Sequence, residues 1–243
     1  MIGTSPLVSD GAAVLQLRLL AELPGVAHGF ETRAGRLEDR VPGPVARLRQ
    51  VHGADVLELP PDDAGRAPFL RPQVEQRPPA DALHTDLPAT AVAVAVADCM
   101  PVLIADPSTG AVAAVHAGWR GLVAGVIENA VAAMGARHGS KPADLVVGIG
   151  PSIGACCFEV GPEVIEAFAG RGYGDQAHAP GNGDRPHADL RAVAAAILAR
   201  LGVPAAQVSD AGICTRCHSD RLWSYRKDGA QAGRMICGIA RIG

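Results

Sequence analysis

Residues 90–121 read TAVAVAVADCMPVLIADPSTGAVAAVHAGWRG, and their parsing sets the fold. Thr90 to Ala97 alternates Ala and Val over a strand's length, bounded by Pro88 and Asp98. Val102 to Ala105 reads as a second strand and Ala111 to Val115 as a third. Between them Asp106-Pro107-Ser108-Thr109-Gly110 has the residue chemistry of a tight reversal. Strands joined by so short a turn lie antiparallel, so their far ends meet. Cys99 precedes one strand and His116 follows the other. A thiol and an imidazole are therefore expected side by side at one end of the pair.

Downstream, Leu122, Val126, Ile127, Ala130, Val131 and Met134 keep helical spacing. Leu145 to Ile149 reads as a buried strand. Pro162 to Phe168 and Leu190 to Leu201 read as helices, the second with Asp189 as its cap. Gly170 to Pro186 reads as loop. Arg221 to Arg226 and Arg234 to Ile239 read as strands around a turn at Asp228-Gly229. Upstream, Val14 to Leu20 is amphipathic and Pro24-Gly25 marks a turn. Gly35 to Pro44 is loop-like, and Pro60 to Pro79 reads as a surface excursion suited to a mobile loop. With no repeat and no dividing linker, residues 1–243 are expected to form one domain. Hairpins interspersed with helices favour α+β over a doubly wound sheet.

Apolar residues are 48% of the chain but aromatics only 3%, so the core must be built from Ala, Val, Leu and Ile. A net charge of −3, without a Lys/Arg-rich block, argues against nucleic acid or an anionic membrane as partner. No apolar stretch approaches the roughly 20 residues of a spanning helix, and no export signal opens the chain. A cytoplasmic location without an evident protein partner is the expectation. Six cysteines there point to thiols, metal ligands or catalysis rather than disulfides.

Cys99 and His116, with His52 in Arg49-Gln50-Val51-His52-Gly53, admit three readings. They suit a zinc site, where a thiolate and neutral imidazoles leave one position open. They equally suit a Cys99 nucleophile activated by His116, or a buried thiol among core histidines. Cys214-Thr215-Arg216-Cys217-His218 spells the c-type haem attachment motif, which belongs to exported proteins. With no second C-x-x-C to complete a four-thiolate knuckle, it reads as a turn with two incidental thiols. The neighbouring Cys156-Cys157 reads as a structural feature. Gly150-Pro151-Ser152-Ile153-Gly154 lacks the Lys-Ser/Thr element of a phosphate loop. Arg33, Arg120 and Arg226 sit at turns or strand ends where each could bind a phosphate or carboxylate.

In order along the chain, several segments carry a resemblance to the YfiH family, also called laccase-domain or polyphenol oxidase-like proteins. They are His28-Gly29-Phe30 with Thr32-Arg33, Gln50-Val51-His52-Gly53, Ala80-Asp81-Ala82-Leu83 and Ala97-Asp98-Cys99-Met100-Pro101. Further on come His116-Ala117-Gly118-Trp119-Arg120-Gly121, Gly150-Pro151-Ser152-Ile153-Gly154, Phe158-Glu159-Val160-Gly161 and Ser224-Tyr225-Arg226. The resemblance implies a layered α/β/β/α sandwich with mixed sheets, similar to toxin deamidases that use a Cys/His pair. It implies zinc on His52, Cys99 and His116, with copper as the alternative metal. It also implies a purine nucleoside and phosphate as substrates: phosphorolysis of adenosine, inosine, guanosine or methylthioadenosine, and adenosine deamination. Cys99, His116 and Asp98 are then the catalytic candidates, with Arg33 and Arg226 as substrate-binding ones. Other activities attached to the family are copper-dependent phenol oxidation and peptidoglycan editing by a Cys/His hydrolase. A partner-binding module with a structural zinc is the non-enzymatic alternative. Eight histidines without a His-x-His pair fit a multicopper oxidase poorly. Two departures from the family pattern stand out: Ala34 to Arg49 is short and lacks Asn, and His84 replaces an apolar residue, where it could add a polar contact near the site.

Overall fold

The computed structural model describes residues 13–180 and 185–243. The N-terminal reading over residues 1–12, and residues 181–184 of the loop read at 170–186, lie outside them. Strands β1 (Val14–Leu15), β2 (Val26–Glu31), β3 (Val45–Arg47), β4 (Val56–Glu58) and β5 (Ala82–Thr85) alternate with short helices α1 (Arg18–Ala21) and α2 (Asp63–Arg66). Next come β6 (Ala91–Val96), β7 (Met100–Ala105) and β8 (Val112–Ala117), then α3 (Trp119–Ala124), α4 (Val126–His138) and β9 (Val146–Ile149). Helices α5 (Pro162–Gly170) and α6 (Gly174–Ala177), a small hairpin β10 (His178–Ala179) and β11 (His187–Ala188), and α7 (Leu190–Leu201) follow. The last elements are β12 (Val208–Asp210), α8 (Tyr225–Asp228) and β13 (Met235–Arg241).

Two mixed sheets form, ordered β1-β2-β13-β6-β3 and β12-β9-β7-β8-β5-β4. This is the expected α+β sandwich. The period-two pattern of the opening stretch explains how the sheets stack. Val92, Val94 and Val96 face the inter-sheet core with Leu103, Ala105, Val112, Ala114 and Phe30. Val102, Ile104, Ala113 and Val115 face the other way, onto α4, α5 and α7. Ala91 and Ala93 turn to the outer side, under Leu37 and Val41. Among the described residues that outer cover is a 3₁₀ turn, Leu37–Asp39, so the fourth layer is thin. Its close approach needs small residues beneath: a Cβ on Gly238 would lie 2.7 Å from Leu37 Cδ2.

Three local expectations are corrected. The helical run after Trp119 is two helices, because Gly125 takes a left-handed φ of 92° that ends the first. Residues 221–226 are not a strand. Their backbone bonds go elsewhere: the Arg33 N–H donates to Arg221 O, and the Arg226 N–H to the Asp98 carboxylate. The 60–79 excursion is exposed along much of its length, yet Phe69 is buried in the inter-sheet core and the Arg77 guanidinium donates to Arg71 O and Pro72 O. Asp189 does cap α7, accepting from the Arg191 and Ala192 N–H groups. No helix of the described residues is long and apolar enough to cross a membrane.

Candidate metal centre

The β7–β8 register places Met100 opposite Ala117 and Pro101 opposite His116. The hairpin therefore does bring Cys99 and His116 to one end, with His116 inside β8 rather than after it. His52 joins them from the turn after β3. One ligand-capable atom from each of His52, Cys99 and His116 lies within 4.8 Å of the others. The two imidazoles meet edge to face at 4.8 Å between centroids. His116 is buried, Cys99 packs against the inter-sheet core, and His52 is exposed. The cluster thus sits at an open end of the core, with one side facing solvent.

Asp81, at the start of β5, organises the cluster. Its Oδ1 pairs with His116 Nδ1 at 2.7 Å and accepts the His52 N–H at 2.9 Å. Its Oδ2 accepts from the Gly53 and Val51 N–H groups at 2.7 and 3.2 Å. The carboxylate thereby holds His52 in a left-handed conformation (φ 59°), a strain of about 1–3 kcal/mol for a non-glycine residue. Holding His116 by Nδ1 leaves Nε2 for a thiolate or a metal, the arrangement that orients and strengthens histidine ligands. Gly118 completes the fit, since a Cβ there would lie 3.0 Å from Cys99 Sγ and 3.5 Å from His52 Nδ1.

The electrostatics follow from this packing. Burial pushes the Cys99 thiol up, but hydrogen bonding to His116 and His52 outweighs it and brings the pKa from 9.0 to about 6. Burial lowers the His116 imidazolium, yet the Asp81 carboxylate and Cys99 outweigh that and raise it from 6.5 to about 9. Burial likewise raises Asp81, while His116 and the Gly53 N–H pull it below its ordinary value. The metal-free centre is a thiolate–imidazolium pair between about pH 6 and 9. A thiolate and two imidazoles also form a donor set that fits zinc or copper.

The other sequence candidates have partners of their own outside the three-residue cluster. Asp98, between β6 and β7 at φ 84°, accepts from Thr215 Oγ1 at 2.5 Å and from the Arg226 N–H at 2.6 Å. Both carboxylate oxygens are thus spent on the 214–228 segment. Arg33 stacks 3.8 Å over the Trp223 ring and pairs with Asp228 at 2.7 Å. Arg226 donates to Glu159 O at 2.8 Å. Arg33 therefore packs on residues 222–228, the segment that carries Arg226, and Arg120 stacks over its neighbour Trp119 instead. His84 is buried away from the cluster, its Nδ1 2.9 Å from His138 Nε2. It adds no contact at the site, because β5 carries it towards the opposite end from Asp81.

Asp81 was readable only as part of an Ala-Asp-Ala-Leu element, since a lone acid before an apolar strand carries no ligand spacing. Cys156, Cys157, Cys214 and Cys217 come together, their sulfurs all within 4.8 Å of one another. The adjacent Cys156-Cys157 pair thus stands beside the Cys214-x-x-Cys217 turn.

The class so defined is a two-sheet α+β sandwich with a Cys/His cluster whose borderline-soft donors could hold a metal. Residues 30–242 match the family model described as multi-copper polyphenol oxidoreductase laccase. The chain belongs to that family, in which the name YfiH recurs. A purine nucleoside phosphorylase of Bacteroides thetaiotaomicron is 40% identical over 161 residues, 65% of this chain but only 60% of that protein. An adenosine deaminase, RL5, from an unknown prokaryotic organism is 38% identical over 196 residues, 79% of this chain and 73% of its own length. The crystal structure of the Bacillus licheniformis hypothetical protein YfiH superposes with a TM-score of 0.84 at 26% identity, covering 97% of this chain and 98% of that one.

Proposed function

We propose that this chain is a zinc-dependent purine nucleoside enzyme, acting by phosphorolysis of adenosine, inosine, guanosine or S-methyl-5'-thioadenosine and by adenosine deamination. One observation carries the reading: His52, Cys99 and His116 converge at an end of the sandwich that is open on the His52 side. The names of the relatives, a phosphorylase and a deaminase, supply the substrate class. Zinc supplies Lewis-acid chemistry to a reacting oxygen when three protein ligands leave a position free. Asp81 keeps His116 in the tautomer that offers Nε2 and holds the strained His52 turn. Asp98 acts as a positioning residue, fixing the 214–228 segment through Thr215 and the Arg226 backbone. Arg33 and Arg226, on that segment's side, are the cations for a phosphate or ribose hydroxyl, with Asp228 limiting how freely Arg33 turns.

Purified protein loaded with zinc and given adenosine and phosphate should yield inosine, hypoxanthine or adenine by chromatography. Product no greater than from a Cys99→Ala control would sink the proposal. The lowered Cys99 and raised His116 pKa values favour one further reading, a thiol hydrolase acting on an amide. It predicts a covalent substrate adduct on Cys99 in metal-free protein and lower activity on adding zinc. Copper-dependent phenol oxidation requires turnover that scales with bound copper, which metal analysis alongside a phenol assay would reveal.

A further inference from the structure

The turn at residues 154–158 and the turn at residues 214–218 are held together by four cysteines with no disulfide among them. The Cys156–Cys157, Cys156–Cys217 and Cys157–Cys217 sulfurs are 3.8, 3.7 and 3.5 Å apart. Four thiolates at about 2.3 Å around a tetrahedral zinc have edges of about 3.8 Å. The Gly154 N–H donates to Cys214 Sγ at 3.2 Å, a stabilising contact for a ligating thiolate. Gly154 also suits this approach, because a Cβ would crowd the cysteines at 3.2 Å from Cys214 Cβ and 3.3 Å from Cys156 Sγ. The exposed guanidinium of Arg216 interacts electrostatically with Cys157, placing a cation beside a site whose zinc-loaded form carries net negative charge.

We propose that Cys156, Cys157, Cys214 and Cys217 form a second, structural metal site, a closed four-thiolate centre for zinc that is separate from the His52, Cys99 and His116 cluster. Packing alone explains one or two neighbouring thiols. Three sulfurs at tetrahedral-edge distances and a fourth within 4.8 Å of each, brought from two segments remote in sequence, form a ligand set. The centre has a clear mechanical task. Ser152 and Cys214 form an isolated parallel bridge, and Thr215, inside the C-x-x-C turn, is the residue that donates to Asp98. Metal at the four cysteines would lock the 214–218 turn, and through Asp98 the strand end that presents Cys99. A site with all four positions filled by protein has no open coordination position for substrate, so its role is to brace.

The test uses the full chain carrying Cys99→Ser, which disables the first centre. After loading with zinc and removing excess, mass-spectrometric metal analysis should find one zinc per chain. Adding Cys156→Ser and Cys217→Ser should remove it. Cobalt substituted into the Cys99→Ser chain should give the intense sulfur-to-metal charge-transfer and visible bands of a tetrahedral four-sulfur site. That spectrum decides the matter even if the triple variant fails to fold. A Cys99→Ser chain that retains no metal under reducing conditions would overturn the proposal, as would a cobalt spectrum of octahedral, oxygen-ligated type. So would zinc retained undiminished in a folded triple variant.

Discussion

Asp81 accepts from three consecutive backbone N–H groups and pairs with His116, so a carboxamide at that position keeps the shape while removing the charge. Asp81→Asn should weaken zinc binding by about 10–100-fold, the usual scale for a group that orients a histidine ligand, as read by competition with a chromophoric chelator. Cys99 offers a second test in metal-free protein. Its alkylation rate should rise with pH through a midpoint near 6, and His116→Ala should move that midpoint up towards 9.0. A midpoint that stays near 6 in the variant would show that His116 is not what stabilises the thiolate. At this scale the sequence was informative about ligands and silent about supports. His52, Cys99 and His116 could be named, but the left-handed backbone at His52 and Asp98 could not, since both residue types usually occupy ordinary regions.

The β7–β8 hairpin shows why the centre was legible at the level of elements. A short turn with Asp106 and Gly110 sets the pairing, and the Ala/Val alternation sets which face is buried, so the ends had to coincide. Residues 221–226 misled for a related reason. Their alternation of buried Leu222 and Ser224 mimics a strand, but their backbone bonds go to a turn at His218 and to single groups on Arg33 and Asp98 rather than to a strand ladder. The Cys156-Cys157 and Cys214-x-x-Cys217 association was invisible because a dipeptide and a turn meet only through the fold. Gly118, the residue that joins β8 to α3, gives a prediction of its own. Gly118→Ala has an ordinary φ of −73°, so the backbone tolerates it, while the new Cβ crowds Cys99 and His52. Zinc affinity should fall about tenfold with little change in the urea midpoint, the lower end of what displaced ligands cost. An unchanged affinity would show that the ligands have room to shift.

For the molecule as a whole, the ion pair at the centre shapes stability against pH. His116, raised to about 9, contributes fully below its unfolded value of 6.5 and loses that contribution as pH rises through about 9. Cys99, lowered to about 6, contributes fully above 9.0 and loses it as pH falls through about 6. Between pH 6.5 and about 9 the two slopes oppose one another, so urea midpoints of metal-free protein should stay level there and drop only as pH falls from about 6.5 to 6, whereas Cys99→Ala, which removes the offsetting thiol, should let the midpoint fall as pH rises through the His116 titration. The sheet order carries a different consequence, one of timing. β13, which follows every other strand in the chain, is inserted in the middle of the five-stranded sheet between β2 and β6. The bond from the Ile236 N–H to Glu31 spans 205 residues. Until that strand arrives, β2 and β6 both present open edges, and closing so long a loop is slow. A nascent chain lacking residues 235–243 would thus leave the ribosome as two unmatched half-sheets, a natural client for a chaperone that shields exposed strand edges.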